Sequence, residues 1–196
     1  KLHLMYNNIS NYDEEAVWTH PELGGLGLLS NNIKMPARLY LPSLTFLHLG
    51  ENNMTINKHF DANSLPNVAF LYLNGNILES FPSESLKENL VYLSIARCKL
   101  KSLPPYLSKY RYLKYLDARD NYIINVDDDL IELFRTNHVE SYFSGNAVCM
   151  KDGSLDCEPL CSKTCWSRKV GNNGECDVSC NSKECHYDGG DCQYKF

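Results

Sequence analysis

Apolar and polar positions recur along most of this chain in one phrase, which is easiest to follow from its asparagines. It opens as Leu2-x-Leu4-x-x-Asn7-x-Ile9. It returns as Leu23-x-x-Leu26-x-Leu28-x-x-Asn31-x-Ile33, as Leu44-x-x-Leu47-x-Leu49-x-x-Asn52-x-Met54 and as Val68-x-x-Leu71-x-Leu73-x-x-Asn76-x-Leu78. A fifth copy is Leu90-x-x-Leu93-x-Ile95-x-x-Cys98-x-Leu100 and a sixth Leu113-x-x-Leu116-x-Ala118-x-x-Asn121-x-Ile123. A degenerate seventh is Phe143-x-x-Asn146-x-Val148. The anchors at 7, 31, 52, 76, 98, 121 and 146 are 21 to 25 residues apart. Each Leu-x-Leu alternates with period two, so each predicts a short strand with its leucines turned inward. Each Asn predicts a tight turn whose buried amide bonds backbone groups of its own coil and the next one.

Seven phrases in register resemble the leucine-rich repeat, whose period is about 20 to 29 residues. The resemblance implies an α/β-type solenoid, a right-handed coil with short parallel strands on a concave face. It covers residues 1–149 as about seven coils, and the first residues already fall inside the pattern, so an N-terminal cap is expected to be missing. Phe81-Pro82 and Leu103-Pro104-Pro105 follow their anchors at one offset. Asp127–Arg135 and Ser83–Glu88 are candidate short helices or turns of the outer side. Cys98 takes a ladder position, where a small thiol serves as a weak donor.

Strand alternation assigns the concave face. Six residues before the anchors lie Gly25, Phe46, Phe70, Tyr92 and Tyr115. Four before lie His3, Gly27, His48, Tyr72, Ser94, Asp117 and Tyr142, and two before lie Met5, Leu29, Gly50, Asn74, Ala96, Arg119 and Ser144. Phe46, Phe70, Tyr92 and Tyr115 form an expected aromatic strip across four coils, with Tyr72, His48, Asp117 and Arg119 beside it. Such a strip suits a protein or glycan ligand. The same rings would also stabilise a sheet by stacking on one another.

Composition changes the picture mainly at the end of the chain. Hydrophobic residues make up 43% of 196, enough for a core. The net charge of -5 argues against nucleic acid or an anionic membrane as partner, and no apolar stretch is long enough to span a bilayer. Of nine cysteines, eight lie between Cys149 and Cys192. They indicate disulfides in an oxidising compartment or a metal site in a reducing one.

The string Cys176-Asp177-x-x-Cys180-Asn181-x-x-x-Cys185-x-Tyr187-Asp188-Gly189-Gly190-Asp191-Cys192 resembles the Notch-type (LNR) repeat, a small calcium module. The resemblance covers residues 161–192, leaving 150–160 as a capping linker. It implies the pairs Cys161–Cys185, Cys165–Cys180 and Cys176–Cys192. Cys149 and Cys157 fall where extracellular leucine-rich repeats place a closing disulfide. Asp188 and Asp191 match the family's calcium ligands directly, Asn173 matches an Asn/Asp ligand, and the carbonyl of Glu175 is a candidate. The loop before Cys176 is about two residues longer than in Notch. The upstream acidic ligand therefore aligns near Val170, with Asn172 or water as replacement. Chemistry agrees: so short a segment cannot build a sufficient core, and a hard cation bound by carboxylates adds a staple. Zinc fits poorly, with its thiols consumed in bridges and only His186 nearby.

Asn8-Ile9-Ser10 and Asn53-Met54-Thr55 are glycosylation sequons, each directly after a ladder Asn. His20, His48, His59, His138 and His186 have no ligand spacing. Tyr106, Tyr110, Tyr112 and Tyr115 cluster in sequence, and core packing and surface contact both remain open for them. No nucleophile–base pattern, phosphate loop or catalytic carboxylate pair stands out, so an enzyme is not expected. The expectation is an extracellular module, secreted or at the cell surface, that binds a protein or glycan. The alternative is a structural subunit, assembling with copies of itself into a fibre, wall or surface layer. The pairing of these two repeats is similar to secreted and surface proteins of oomycetes and other protists.

Overall fold

The computed structural model describes residues 1–10, 17–34, 38–52, 54–55, 65–78, 89–150, 155–157, 160–162, 165–166, 176–189 and 191–192. The chain divides into two compact units, Lys1–Leu155 and Asp156–Phe196.

The first unit carries nine strands among its described residues. These are β1 (Leu2–His3), β2 (Val17–Thr19), β3 (Gly25–Gly27), β4 (Arg38–Tyr40), β5 (Phe46–His48), β6 (Phe70–Tyr72), β7 (Tyr92–Ser94), β8 (Tyr115–Asp117) and β9 (Glu140–Tyr142). Seven of them form one parallel sheet in the order β1-β3-β5-β6-β7-β8-β9, and β2 pairs with β4 in a separate two-stranded parallel sheet. The register aligns the repeat phrases: Leu26, Leu47, Leu71, Leu93 and Leu116 are successive partners. Their side chains are buried, as are the columns Leu28-Leu49-Leu73-Ile95-Ala118-Phe143 and Ile33-Met54-Leu78-Leu100-Ile123-Val148. Each such Leu contributes about 1.5 to 3 kcal/mol on leaving water, but only when a neighbouring coil covers it, so stability is shared between coils. In β9 Ser141 takes the inward position opposite Leu116, and the apolar column ends there.

The buried amide ladder is present, and it runs the other way from the sequence expectation: each Asn binds its own coil and the preceding one. Asn76 Nδ2 donates to Leu73 O at 2.7 Å and to Leu49 O at 2.9 Å, while its Oδ1 accepts from Met54 N–H at 2.8 Å. Asn52 and Asn146 repeat the pattern. The cause is direction of travel. After the turn the Asn points back over the sheet edge just laid down, where carbonyls left by the earlier strand await donors.

A second regularity is in the backbone. The residue before every anchor has positive φ: Tyr6, Ser30, Glu51, Gly75, Arg97, Asp120 and Gly145. Only two of the seven are glycine. The other five hold a left-handed conformation that costs an L-residue about 1 to 2 kcal/mol.

A second, outer ladder joins the coils nine residues before the anchors. Ser43 Oγ donates to Pro21 O, Asn67 Nδ2 to Pro42 O at 2.7 Å, Asn89 Nδ2 to Pro66 O at 3.1 Å and Asn137 Nδ2 to Arg111 O at 3.0 Å. On the side away from the large sheet the chain forms a 3-10 turn, Pro105–Lys109, and the helix α1 (Asp128–Thr136), which pack against each other. In α1, Leu130 and Phe134 lie one turn apart and are buried, with the Phe134 ring 6.0 Å from that of Phe143. Asp128 and Asp129 complement the positive end of the helix dipole. The candidate segment Ser83–Glu88 and Phe81-Pro82 lie outside the described residues.

In the second unit β10 (Leu160–Ser162) pairs antiparallel with β11 (Cys165–Trp166). Two 3-10 turns, Val178–Cys180 and Lys183–Cys185, lead into His186–Gly189. The buried cluster is Cys165, Cys180 and Cys185. Sulfur takes the place of an apolar core, as the segment's length requires.

Candidate functional site

The open face of the seven-stranded sheet begins bare. Gly25 and Gly27 of β3 are buried, and a Cβ on Gly27 would come within 3.1 Å of His3 Nδ1. From β5 onward the face carries rings. Phe46, Phe70, Tyr92 and Tyr115 are register partners, as strand alternation requires. They do not, however, form the stack.

The stack crosses between rows. His48 lies on Tyr72 with centroids 4.6 Å apart and planes 9° apart. Tyr72 meets Tyr92 at 4.6 Å, Tyr92 stacks on Tyr115 at 4.2 Å and 6°, and Tyr115 meets Tyr142 at 5.2 Å. Phe46 closes the other end against Tyr72 at 5.5 Å. Phe70 has no ring partner among these contacts and is 41% exposed. The reason lies opposite Tyr72, whose register partner is the small Ser94. Nothing there stops the Tyr72 ring from leaning along the strand to the diagonal position of Tyr92, within aromatic reach.

Packing tunes these groups. Burial raises Tyr92 above the usual phenol range, and its hydrogen bond with Tyr115 adds to this; burial also raises Tyr72. Burial lowers His48, against the weaker pull of Glu51, so the imidazole is neutral on this face at neutral pH. Its Nδ1 accepts from Gly50 N–H at 3.3 Å.

Charge on the face is paired. Arg119 grips Asp117 in a two-pronged bond, Nε to Oδ1 at 2.8 Å and Nη2 to Oδ2 at 2.7 Å, with Asp117 6% exposed. The same guanidinium lies 5.7 Å from the centre of the Tyr142 ring. One residue before the anchors, Arg97 pairs with Glu51 across Gly75, and Asn74 Nδ2 donates to Glu51 Oε1 at 3.2 Å. A Cβ at Gly75 would run into that carboxylate. Sequence reasoning passed over Glu51 and Arg97 because they fall outside the strand alternation. The regular offset of one residue from each anchor is the signal that could have found them.

In the small unit Cys165 and Cys180 form one disulfide and Cys176 and Cys192 a second, with Cα atoms 4.9 and 4.6 Å apart. Cys149, Cys157 and Cys185 are also disulfide-bonded. The side chain of Cys161 lies outside the described residues. Among the described side chains Cys98 is the free thiol, fully buried in the other unit.

His186, Tyr187 and Asp188 take left-handed φ/ψ in succession. That is a costly conformation for three L-residues and marks the loop as held in shape. It turns the Asp188 carboxylate fully inward, 0% exposed, where Oδ2 accepts from Asp177 N–H at 2.6 Å. Asp177 itself is occupied locally: its Oδ1 takes the N–H and hydroxyl of Ser179 at 3.0 and 2.7 Å. Asp191 follows three residues after Asp188, past two glycines. Among the described residues of this unit the available donors are carboxylate oxygens, and the described cysteine side chains are tied up in disulfides. That set fits a hard cation such as calcium and not zinc. Asn172, Asn173 and Glu175 lie outside the described residues, and among those described no group of three or more His, Cys, Asp or Glu side chains is assembled for a metal. Of the sequons, Asn8 is exposed and Asn53 lies outside the described residues.

Compared with known proteins, residues 156–193 match the family model described as the LNR domain of Notch. Among solved structures the chain is similar to internalin C2 of Listeria monocytogenes strain 4b F2365, at 25% identity and a TM-score of 0.50, over 69% of each chain. No curated protein matches it. Fold and matches together define a leucine-rich-repeat-type solenoid and a disulfide-rich LNR-type segment in one chain. Both are modules of the kind that serve protein interaction outside the cell, where disulfides persist. Among the described residues no helix is long and apolar enough to cross a membrane.

Proposed function

We propose that the open sheet face is a recognition surface for a protein partner in the extracellular space. The observation that carries this reading is the half-buried stack His48–Tyr72–Tyr92–Tyr115–Tyr142, with Phe70 standing exposed beside it. The stack also favours protein over glycan. Sugars dock on the flat faces of aromatic rings, and here the flat faces of His48, Tyr72, Tyr92 and Tyr115 are turned to each other. What they offer a ligand is ring edges and phenol hydroxyls, next to one free apolar ring and a bidentate ion pair. Rigid tyrosines of this kind supply large contact area at little entropic cost.

The small unit, in this reading, is a calcium module. Asp188 and Asp191 would hold the ion, joined by Asn173, the Glu175 carbonyl and Asn172. The ion would supply a positive centre to a buried carboxylate in a segment whose core is mostly sulfur. N-linked glycans at Asn8 and Asn53 belong to the same extracellular reading. Deglycosylation of chain secreted from eukaryotic cells, followed by mass spectrometry, tests them.

The test of recognition is Phe70→Ala. Because Phe70 is exposed, the variant should fold as the parent does while partner affinity falls at least about tenfold, as at an aromatic anchor. Undiminished affinity in the folded variant would remove the face from consideration. Light scattering separates the structural alternative: concentration-dependent polymers would favour assembly over recognition.

A further inference from the structure

The net charge of -5 conceals one local reversal. The segment Lys109-Tyr110-Arg111-Tyr112-Leu113-Lys114 lies between the 3-10 turn Pro105–Lys109 and β8, and its three cations are all exposed. The next coil lays Arg135, Asn137 and His138 alongside it. Asn137 Nδ2 donates to Arg111 O at 3.0 Å, Lys114 Nζ donates to Asn137 O at 2.8 Å and Glu140 N–H donates to Lys114 O at 2.9 Å. Arg135 and His138 are exposed too. Among the described residues the acids on these segments are Glu132, which pairs with Arg135, exposed Glu140, and Asp128 and Asp129 at the start of the helix that packs on the 3-10 turn. Four permanent cations, Lys109, Arg111, Lys114 and Arg135, therefore lie exposed on adjoining segments, in a chain where acids outnumber bases 24 to 19.

A second observation sits in the middle of this ridge. Nine residues before its anchor, each neighbouring coil places Ser43, Asn67, Asn89 or Asn137, whose side chain staples it to the coil before. At this same position the sixth coil has Tyr112, 62% exposed. A ladder donor has been exchanged for an outward aromatic ring, flanked by Arg111 and Lys114. Exposure of a large ring at a position that elsewhere serves stability points to a ligand.

We infer that Lys109, Arg111, Tyr112 and Lys114, with Arg135 and His138, form a binding site for a sulfated or otherwise anionic polysaccharide, separate from the open sheet face. The cations run from the end of the 3-10 turn to β8 and onto the C-terminal end of α1 in the next coil, and such basic stretches match a linear polyanion. The ring face of Tyr112 is available to a sugar, unlike the stacked rings of the sheet. The choice of polyanion rests on the extracellular reading proposed above, which the disulfide-bonded cysteines support.

The probe is heparin, immobilised, with the full disulfide-bonded chain as analyte. The parent should be retained at about 0.15 M salt despite its negative charge. Arg111→Glu and Lys109→Glu should each flatten the dependence of log affinity on log salt by about one unit or more, as expected when a cation leaves a polyanion interface. Tyr112→Asn is the decisive variant. It supplies the missing ladder donor, so the thermal midpoint should rise while heparin retention falls, whereas a merely structural Tyr112 would lower the midpoint and leave retention unchanged. Parent chain in the flow-through overturns the inference. So do undiminished retention of Arg111→Glu, or binding to phosphatidylserine vesicles that heparin does not compete away, which would mark a membrane site. Partner capture through Phe70 is untouched by any of these outcomes.

Discussion

The amide oxygen of Asn121 accepts hydrogen bonds from the backbone N–H groups of both Cys98 and Leu100, each at 3.0 Å. Elsewhere the corresponding oxygen takes the N–H two residues past the preceding anchor, as Asn76 does with Met54. The two hydrogen bonds accepted by Asn121 are a consequence of the cysteine one coil earlier. A thiol cannot replace an amide oxygen, so the N–H of Leu78 turns to the backbone carbonyl of Cys98 at 3.0 Å. The thiol itself donates to Leu73 O at 3.2 Å. Lys99 then enters the left-handed region, and Asn121 collects two donors.

Asn121→Ala should therefore cost at least about 3 kcal/mol, since it leaves two buried N–H groups and the carbonyls of Ile95 and Ala118 without their amide. Cys98→Ala, which removes only weak sulfur contacts and a small volume, should cost about 1 kcal/mol. Denaturant unfolding of both variants measures the difference, and equal costs would contradict the ladder account.

Burial pushes the Cys98 thiol up to about 12. The native chain should show no reaction with a thiol reagent at pH 8, and one thiol per chain should appear on unfolding. The sign for stability follows. A thiol kept neutral in the fold stabilises it fully below the unfolded value of 9.0, and this contribution is lost as pH rises from there toward 12. Thermal midpoints across that range test the direction.

These particulars show what the chain's pattern reveals by itself. Leu26, Leu47, Leu71, Leu93 and Leu116 are legible because a buried column must be apolar at a fixed interval, and the anchors Asn52, Asn76, Asn121 and Asn146 because buried amides recur with them. Ladder direction is not legible: Asn76 looks the same whether it bonds the coil before or after. Nor is the left-handed turn, because Ser30, Glu51, Arg97 and Asp120 carry no glycine to announce it. Row membership follows from alternation, but the lean of Tyr72 toward Tyr92 depends on the small partner Ser94, which a row-by-row reading ignores. In the small unit the motif around Asp188 is legible only by resemblance, since no periodicity dictates it.

Lys99 offers a direct test of the backbone strain. It is exposed at φ 59°, so Lys99→Gly should stabilise the fold by up to about 1 kcal/mol. Gly75→Ala should do the reverse, through its positive φ and the carboxylate of Glu51 above it. A midpoint shift of the opposite sign in either variant would contradict the geometry.

Ser182 carries a buried hydroxyl without a hydrogen-bond partner among the described residues. Ser182→Ala should leave the fold intact and raise its stability by about 1 kcal/mol, because the orphaned group no longer has to be stripped of water. Loss of stability would show that the hydroxyl is bonded in solution.

Calcium at about 100 times its dissociation constant should stabilise the disulfide-bonded small unit by about 2.7 kcal/mol. Chelator should remove that increment, and Asp188→Asn should abolish it. An unchanged melting profile with and without chelator would exclude a calcium role.

The central claim is that the open sheet face, and not the opposite side, captures a protein partner. Tyr40 of β4 provides the control, a 55% exposed ring on the separate two-stranded sheet. The measurement is equilibrium binding of the polypeptide that copurifies with this chain from its source, to the parent, to Phe70→Arg and to Tyr40→Arg. Binding lost with Phe70→Arg and kept with Tyr40→Arg is the predicted result. Binding kept with Phe70→Arg, or lost only with Tyr40→Arg, would contradict it.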